Sequence, residues 1–192
     1  MRIALCIIVA CTLAGCVRIG PKPPRELLTL TSTATLAPGT ARTSGAADVV
    51  TVLVPSSAPP IAAGRIAVYT GEAVAYVPEA ILADTPGRQL ARLLGETIAA
   101  RTGRIVLDLR QSPSADGTRL QGTLVRFGID ARTLRAVVVY DALVVRPGRD
   151  VVTRRFAAEA PLAAIEARPA GAALNVAAND VALQVADWIG TL

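Results

Sequence analysis

The chain has 192 residues, of which 52% are hydrophobic but only 3% aromatic, a formal charge of +5 and no histidine. This composition excludes disorder throughout and requires one core built from Val, Leu, Ile and Ala; the missing histidine excludes a Ser-His-Asp triad, a Cys-His pair and a histidine zinc site. Apart from Lys22 the basic residues are arginines, scattered as Arg104, Arg119, Arg126, Arg135 and Arg154 rather than clustered, and the chain has few aromatics, which argues against a nucleic-acid partner.

Residues 1–15 read as a signal peptide. Arg2 precedes an apolar run, "IALCIIVACTL", over residues 3–13; as a helix it reaches roughly 16 Å, half of a ~30 Å hydrocarbon core, so it is too short to span a bilayer. Leu13, Ala14 and Gly15 before Cys16 resemble the lipobox of bacterial lipoproteins. That resemblance makes Cys16 the acylated first residue of the mature chain, carrying palmitate-type chains; the alternative is a buried or disulfide cysteine after an ordinary signal. Cys6 and Cys11 would leave with the signal, so Cys16 would have no disulfide partner. One acyl chain binds a membrane marginally at about 0.8 kcal/mol per methylene, whereas two or three hold it stably. Val17 stands where an inner-membrane retention signal would place aspartate, which by resemblance to lipoprotein sorting rules implies the periplasmic face of the outer membrane. Residues 16–25, with "PKPP" at their centre, read as an extended tether of roughly 25 Å.

Residues 26–192 read as one domain. The runs 26–32 and 49–55 predict strands, separated by a small-residue loop over 37–47. Residues 65–77 predict a hairpin turning at Thr70, Gly71 and Glu72. The segment 85–103 predicts a helix, with Thr85 and Pro86 at its start, Gly103 past its end, and Leu90, Leu93, Leu94, Thr97 and Ile98 on one face. Strands follow over 104–110, 118–130, 134–146 and 150–161, and their short Pro/Gly joints predict an antiparallel meander. The strand 134–146 is apolar on both faces: Ala136, Val138, Tyr140, Ala142 and Val144 on one, Val137, Val139, Leu143 and Val145 on the other. A half-wet strand would alternate, so loops cover the second face or it is a binding surface. Residues 170–190 predict a second amphipathic helix, with Trp188 as a core anchor. The fold class is α+β, an antiparallel sheet with two main amphipathic helices packed against it.

The order of these elements, with "LLTL", "VAYV", "ILADTPGRQLARLL", "LQGTLVRF" and "ALNVAANDVALQVADWI", resembles the ABC-type transport auxiliary lipoprotein family, which includes the paraquat-inducible protein C lipoproteins. Leu82 stands where many members carry a tryptophan. The resemblance implies an outer-membrane lipoprotein facing the periplasm, with an MCE-domain periplasmic protein and an ABC permease/ATPase complex as partners in lipid transport. It also implies a ring-shaped homo-oligomer.

A docking module of this kind needs no catalytic residue and no cofactor or metal, and the face of Val137 and Val139 is the expected partner interface. A periplasmic hydrolase is a weaker alternative: Asp130 and Asp141 lie on neighbouring strands, but there is no Gly-x-Ser-x-Gly or Ser-x-x-Lys signature. A pilotin-like assembly lipoprotein of another outer-membrane machine is the remaining reading.

Overall fold

The computed structural model describes residues 26–45, 48–108, 111 and 117–192; the signal peptide, lipobox, Cys16 and tether lie outside them. The elements are β1 (Val50–Val52), β2 (Ser56–Ser57), a 3-10 turn (Pro59–Ile61), β3 (Arg65–Thr70), β4 (Ala73–Ile81), α1 (Pro86–Thr102), β5 (Val106–Asp108), β6 (Thr118–Asp130), β7 (Arg135–Val145), β8 (Val152–Pro161) and α2 (Ala167–Gly190). The architecture is α+β, with both helices on one side of a curled sheet.

β6 is the spine of that sheet. One edge pairs along its length with β7, antiparallel, and β7 pairs in turn with β8, so the expected meander over the last three strands is present. The opposite edge carries three short segments in succession, all parallel to β6. Val50–Val52 lie against Thr118–Leu120, Ser56–Ser57 against Thr123–Leu124, and Ala67–Tyr69 against Gly128–Asp130. The sheet forks there: β5 extends it beyond β1 and β4 extends it beyond β3.

The expected meander does not include the strand over 104–110. The strand described within it, β5, runs parallel to β1, and β1 separates it from β6. The reason is legible in hindsight. "VVTV" is apolar almost without interruption, and all three β1 residues are buried, as a strand paired on both edges and covered on both faces requires. The sheet is therefore mixed, with its longest ladders antiparallel.

The two helices behave as their periodicity requires. α1 opens on Pro86, where a missing N–H costs nothing, and closes on Gly103 in the left-handed region (φ 70°), whose N–H returns to the Ala99 carbonyl. Thr85 makes no side-chain cap; instead its own N–H donates to Asp84 Oδ1 at 2.7 Å. Leu90, Leu93, Leu94, Thr97 and Ile98 are all buried. α2 packs against α1, β7 and β8; Trp188 is buried, its ring 5.5 Å from that of Phe156 on β8. Burying each large aliphatic side chain contributes about 1.5–3 kcal/mol.

The segment 26–32 is extended but is not a ladder strand. It makes one bridge, Leu28 to Leu82, and is otherwise held by side chains of both helices. From α1, Gln89 Oε1 accepts the Leu30 N–H at 2.6 Å, and Arg92 donates to the Leu30 carbonyl. From α2, Asn175 Oδ1 accepts the Thr31 N–H, while Asn179 accepts the Thr33 N–H and donates to the Thr31 carbonyl, each within 2.9 Å. Gln89 and Asn179 are buried, and a buried amide is stable only when its hydrogen bonds are made. Arg168 on α2 clamps Glu26 with two bonds of 2.7 and 3.0 Å. The chain thus enters the domain along a groove between the helices.

Candidate interaction surface

The three long strands present two unlike faces. Toward the helices, Ala136, Val138, Tyr140, Ala142 and Val144 of β7 are fully buried. On the other face Val139, Leu143 and Val145 are half-buried, and the neighbouring rows are polar: Gln121 and Thr153 flank Leu143, Thr123 and Arg155 flank Asp141, and Arg126 and Ala157 flank Val139. From Arg155 onward β8 alternates, with Phe156, Ala158 and Ala160 buried and Arg155, Ala157 and Glu159 exposed on the open face; Thr153 and Arg154 before them are both exposed.

Of the two valines expected at an interface, only Val139 is accessible. Val137 is 4% exposed. It pairs with Gly128 on β6, and the space a side chain would fill at Gly128 is taken by the Tyr69 ring from β3, 2.9 Å from the ideal Cβ position. Arg126 lies over the same ring, 4.5 Å from its centroid, and Arg65 lies 3.9 Å over Tyr76 on β4. Such contacts hold the guanidinium groups against the sheet rather than free in solvent. The accessible apolar residues of this face are therefore Val139, Leu143 and Val145, with Asp141 between the first two and Val137 buried at the end beside Gly128. Gly128 was the missed signal: a glycine inside a strand marks a close approach.

Charges interrupt and flank this row in pairs. Arg155 makes a two-pronged ion pair with Asp141, 2.6 and 2.7 Å, and Arg135 meets Glu159 at 2.8 Å. The Arg155 guanidinium holds the Asp141 carboxyl below its ordinary pKa. Asp130 is lowered as well, because its carboxylate accepts the N–H groups of Thr133 and Arg132 in the β6–β7 turn. Asp130 lies opposite Arg135, and Asp141 lies six positions further along β7, about 20 Å away at the strand rise. A glycosidase pair needs roughly 5–9.5 Å, so these aspartates are not brought together; one caps a turn and the other anchors an arginine.

A second concavity lies on the far side of α1, where a cleft of about 790 Å³ is lined by Leu36, Val52, Val54, Ala91, Gly95 and Val106. Arg88, Arg92, Glu96 and Asp84 form its rim. Sequence reasoning missed it, although small residues at 91, 95 and 99 leave α1 with little bulk on that face. Among the described residues no group of three or more His, Cys, Asp or Glu is placed to hold a metal ion, and no helix is long and apolar enough to cross a membrane.

These observations define an α+β domain whose forked mixed sheet carries two helices on one face and, on the other, an open row of apolar side chains interrupted and flanked by ion pairs. The same fold occurs in the crystal structure of protein XCC0632 from Xanthomonas campestris, a DUF330 protein, with a TM-score of 0.67 at 19% identity over 85% of this chain and 94% of that one. A crystal structure of an uncharacterized protein is similar at TM-score 0.63 and 14% identity, covering 86% and 98%. The PelC dodecamer from Paraburkholderia phytofirmans overlaps at a TM-score of 0.38 and 15% identity, covering 75% and 91%, too low to bear on this chain. No family model and no curated protein sequence matches.

Proposed function

We propose that this chain is a membrane-anchored periplasmic auxiliary lipoprotein of an ABC/MCE-type lipid transport system, acting as a docking component between inner and outer membranes. The observation that carries this reading is the partly exposed row of Val139, Leu143 and Val145, interrupted by the Asp141–Arg155 ion pair and flanked by Arg135–Glu159, left open on the sheet face that carries no helix. Protein contacts combine exposed apolar side chains with polar and charged groups in this way. The lipobox at Leu13 to Cys16 supports anchoring, and the clamp of residues 28–33 between the helices supports a domain that hangs from its N-terminus at a fixed point.

Two experiments test it. Cys16→Ala should release a folded domain from the membrane fraction; persistence in the outer membrane refutes the anchor. Leu143→Asp, alone and with Val139→Asp, should abolish capture of the MCE-domain protein while circular dichroism shows the fold intact; undiminished capture refutes this placement of the interface. Val137 is unsuitable for this purpose because it is buried. Neighbouring secretion genes in place of permease, ATPase and MCE-domain genes would favour the pilotin reading.

A further inference from the structure

β8 is a long strand at the edge of the sheet, and among the described residues its only strand partner is β7. Which of its backbone groups face outward follows from two contacts. Leu162 N–H donates to the Leu134 carbonyl across the β7–β8 seam. Hydrogen-bonded pairs alternate along an antiparallel ladder, so Ala160, Ala158, Phe156 and Arg154 bond to β7, while Thr153, Arg155, Ala157 and Glu159 direct their N–H and C=O groups outward. Gln184 of α2 agrees with this, since its side-chain amide reaches the Ala157 carbonyl at 3.3 Å. Among the described residues the outward groups have no hydrogen-bond partner apart from the Ala157 carbonyl, from which Gln184 must turn aside for a strand to pair there, and such a row is a template for another strand.

Natural edges are commonly protected by charge, and β8 carries Arg154, Arg155 and Glu159. The order of those charges, however, is self-complementary. In an antiparallel pairing of two copies of β8 centred on Ala157, the outward groups of Ala157 face those of Ala157 of the second copy. Arg155 then stands opposite Glu159 of the second copy, and Glu159 opposite Arg155. Shifting the two-fold centre to Arg155 or Glu159 sets like charges against each other, and centring it on Phe156 or Ala158 sets neither charge against its opposite. On the helix side, the same register places Phe156 beside Ala158 and Arg154 beside Ala160, with no like-charge contact.

Each charge already has an intrachain partner, Arg155 with Asp141 and Glu159 with Arg135. Across the seam these pairs extend into an alternating row: Asp141, Arg155, then Glu159 and Arg135 of the second copy. We propose that the β8 edge is a two-fold homodimer contact, centred on Ala157 and selected by the Arg155–Glu159 cross-pair. It joins two open faces into one continuous surface; it shares Arg155 and Glu159 with the ion pairs beside Val139 and does not rest on the transport reading.

The test uses the full chain in mild detergent, with sedimentation velocity and light scattering as readouts. Wild type should dimerise. Arg155→Glu and Glu159→Arg should each weaken the dimer about 100-fold, because two cross-pairs become repulsive in each symmetric complex. Mixing the two variants should restore a one-to-one heterodimer, since every cross-pair is then again of opposite sign. Ala157→Pro should also dissociate the dimer with the fold retained, as it removes an N–H that β7 does not use. As a direct check, Ala157→Cys should cross-link to its own copy under oxidation even if a charge variant misfolds. A monomer at all concentrations, a dimer indifferent to the swaps, failure of folded variants to recombine, or no cross-link at position 157 would each overturn the proposal.

Discussion

Asn179→Ala removes the α2 side of the clamp on the entering chain. Asn179 is 5% exposed and makes three contacts with that segment: it accepts the Thr33 N–H at 2.8 Å and the Thr33 hydroxyl at 3.1 Å, and donates to the Thr31 carbonyl at 2.9 Å. At about 1 kcal/mol each these are worth roughly 3 kcal/mol. Alanine recovers about 0.5 kcal/mol of helix propensity, and the exposed threonines regain some water, so the net loss is about 2 kcal/mol. For a domain of this size that lowers the melting temperature by roughly 4–8 °C. Denaturant unfolding measures the free energy, and hydrogen exchange reads the location: the Thr33 amide should lose protection while Leu120 and Val138 in the central strands lose only what the global change dictates. A loss under about 0.5 kcal/mol, or unchanged exchange at Thr33, would refute the idea that side-chain amides rather than a ladder hold this segment.

Gly128→Val should be severely destabilising, by more than about 3 kcal/mol, because its Cβ runs into the Ala67 carbonyl and the Tyr69 ring; thermal melts of the variant check this, and a neutral result would contradict the close approach. Burial raises the Tyr140 phenol well above its ordinary pKa, and its hydroxyl donates to the Gln121 carbonyl at 3.0 Å. Ultraviolet titration should therefore show that Tyr140 ionises only as the protein unfolds in alkali, a step absent from Tyr140→Phe. Because the folded Asp141 pKa is depressed, its contribution is present above the unfolded value near 3.8 and is lost as pH falls through the folded value. Asp141→Asn should accordingly flatten part of the stability loss below about pH 4 and leave neutral-pH stability within about 1 kcal/mol, as expected for an exposed pair.

What proved legible in the sequence was local. α1 was readable because its apolar period, Pro86 and Gly103 all lie within one segment, and the hairpin at Gly71 and the β6–β7–β8 meander because their turn residues sit between their strands. The strand over 104–110 misled for the same reason: a short joint suggests a neighbour, yet β1, distant in sequence, occupies the place between β5 and β6. The candidate surface divided likewise. That β7 is apolar on both faces was visible along the chain, but which valine is covered depended on Tyr69 filling the space above Gly128, a contact across 59 residues of sequence.

The sequence by itself determined where helices and long strands form and, through the lipobox, the expectation of an anchor, because hydrophobic period, capping and turn chemistry are properties of neighbouring residues. The tertiary structure alone decided the fork of the sheet, the amide clamp on residues 28–33, the shielding of Val137 and the outward set of backbone groups on β8. Each of these depends on strand register or on a hydrogen bond between distant segments, and such pairings are settled by the packing of the whole core rather than by any stretch read on its own.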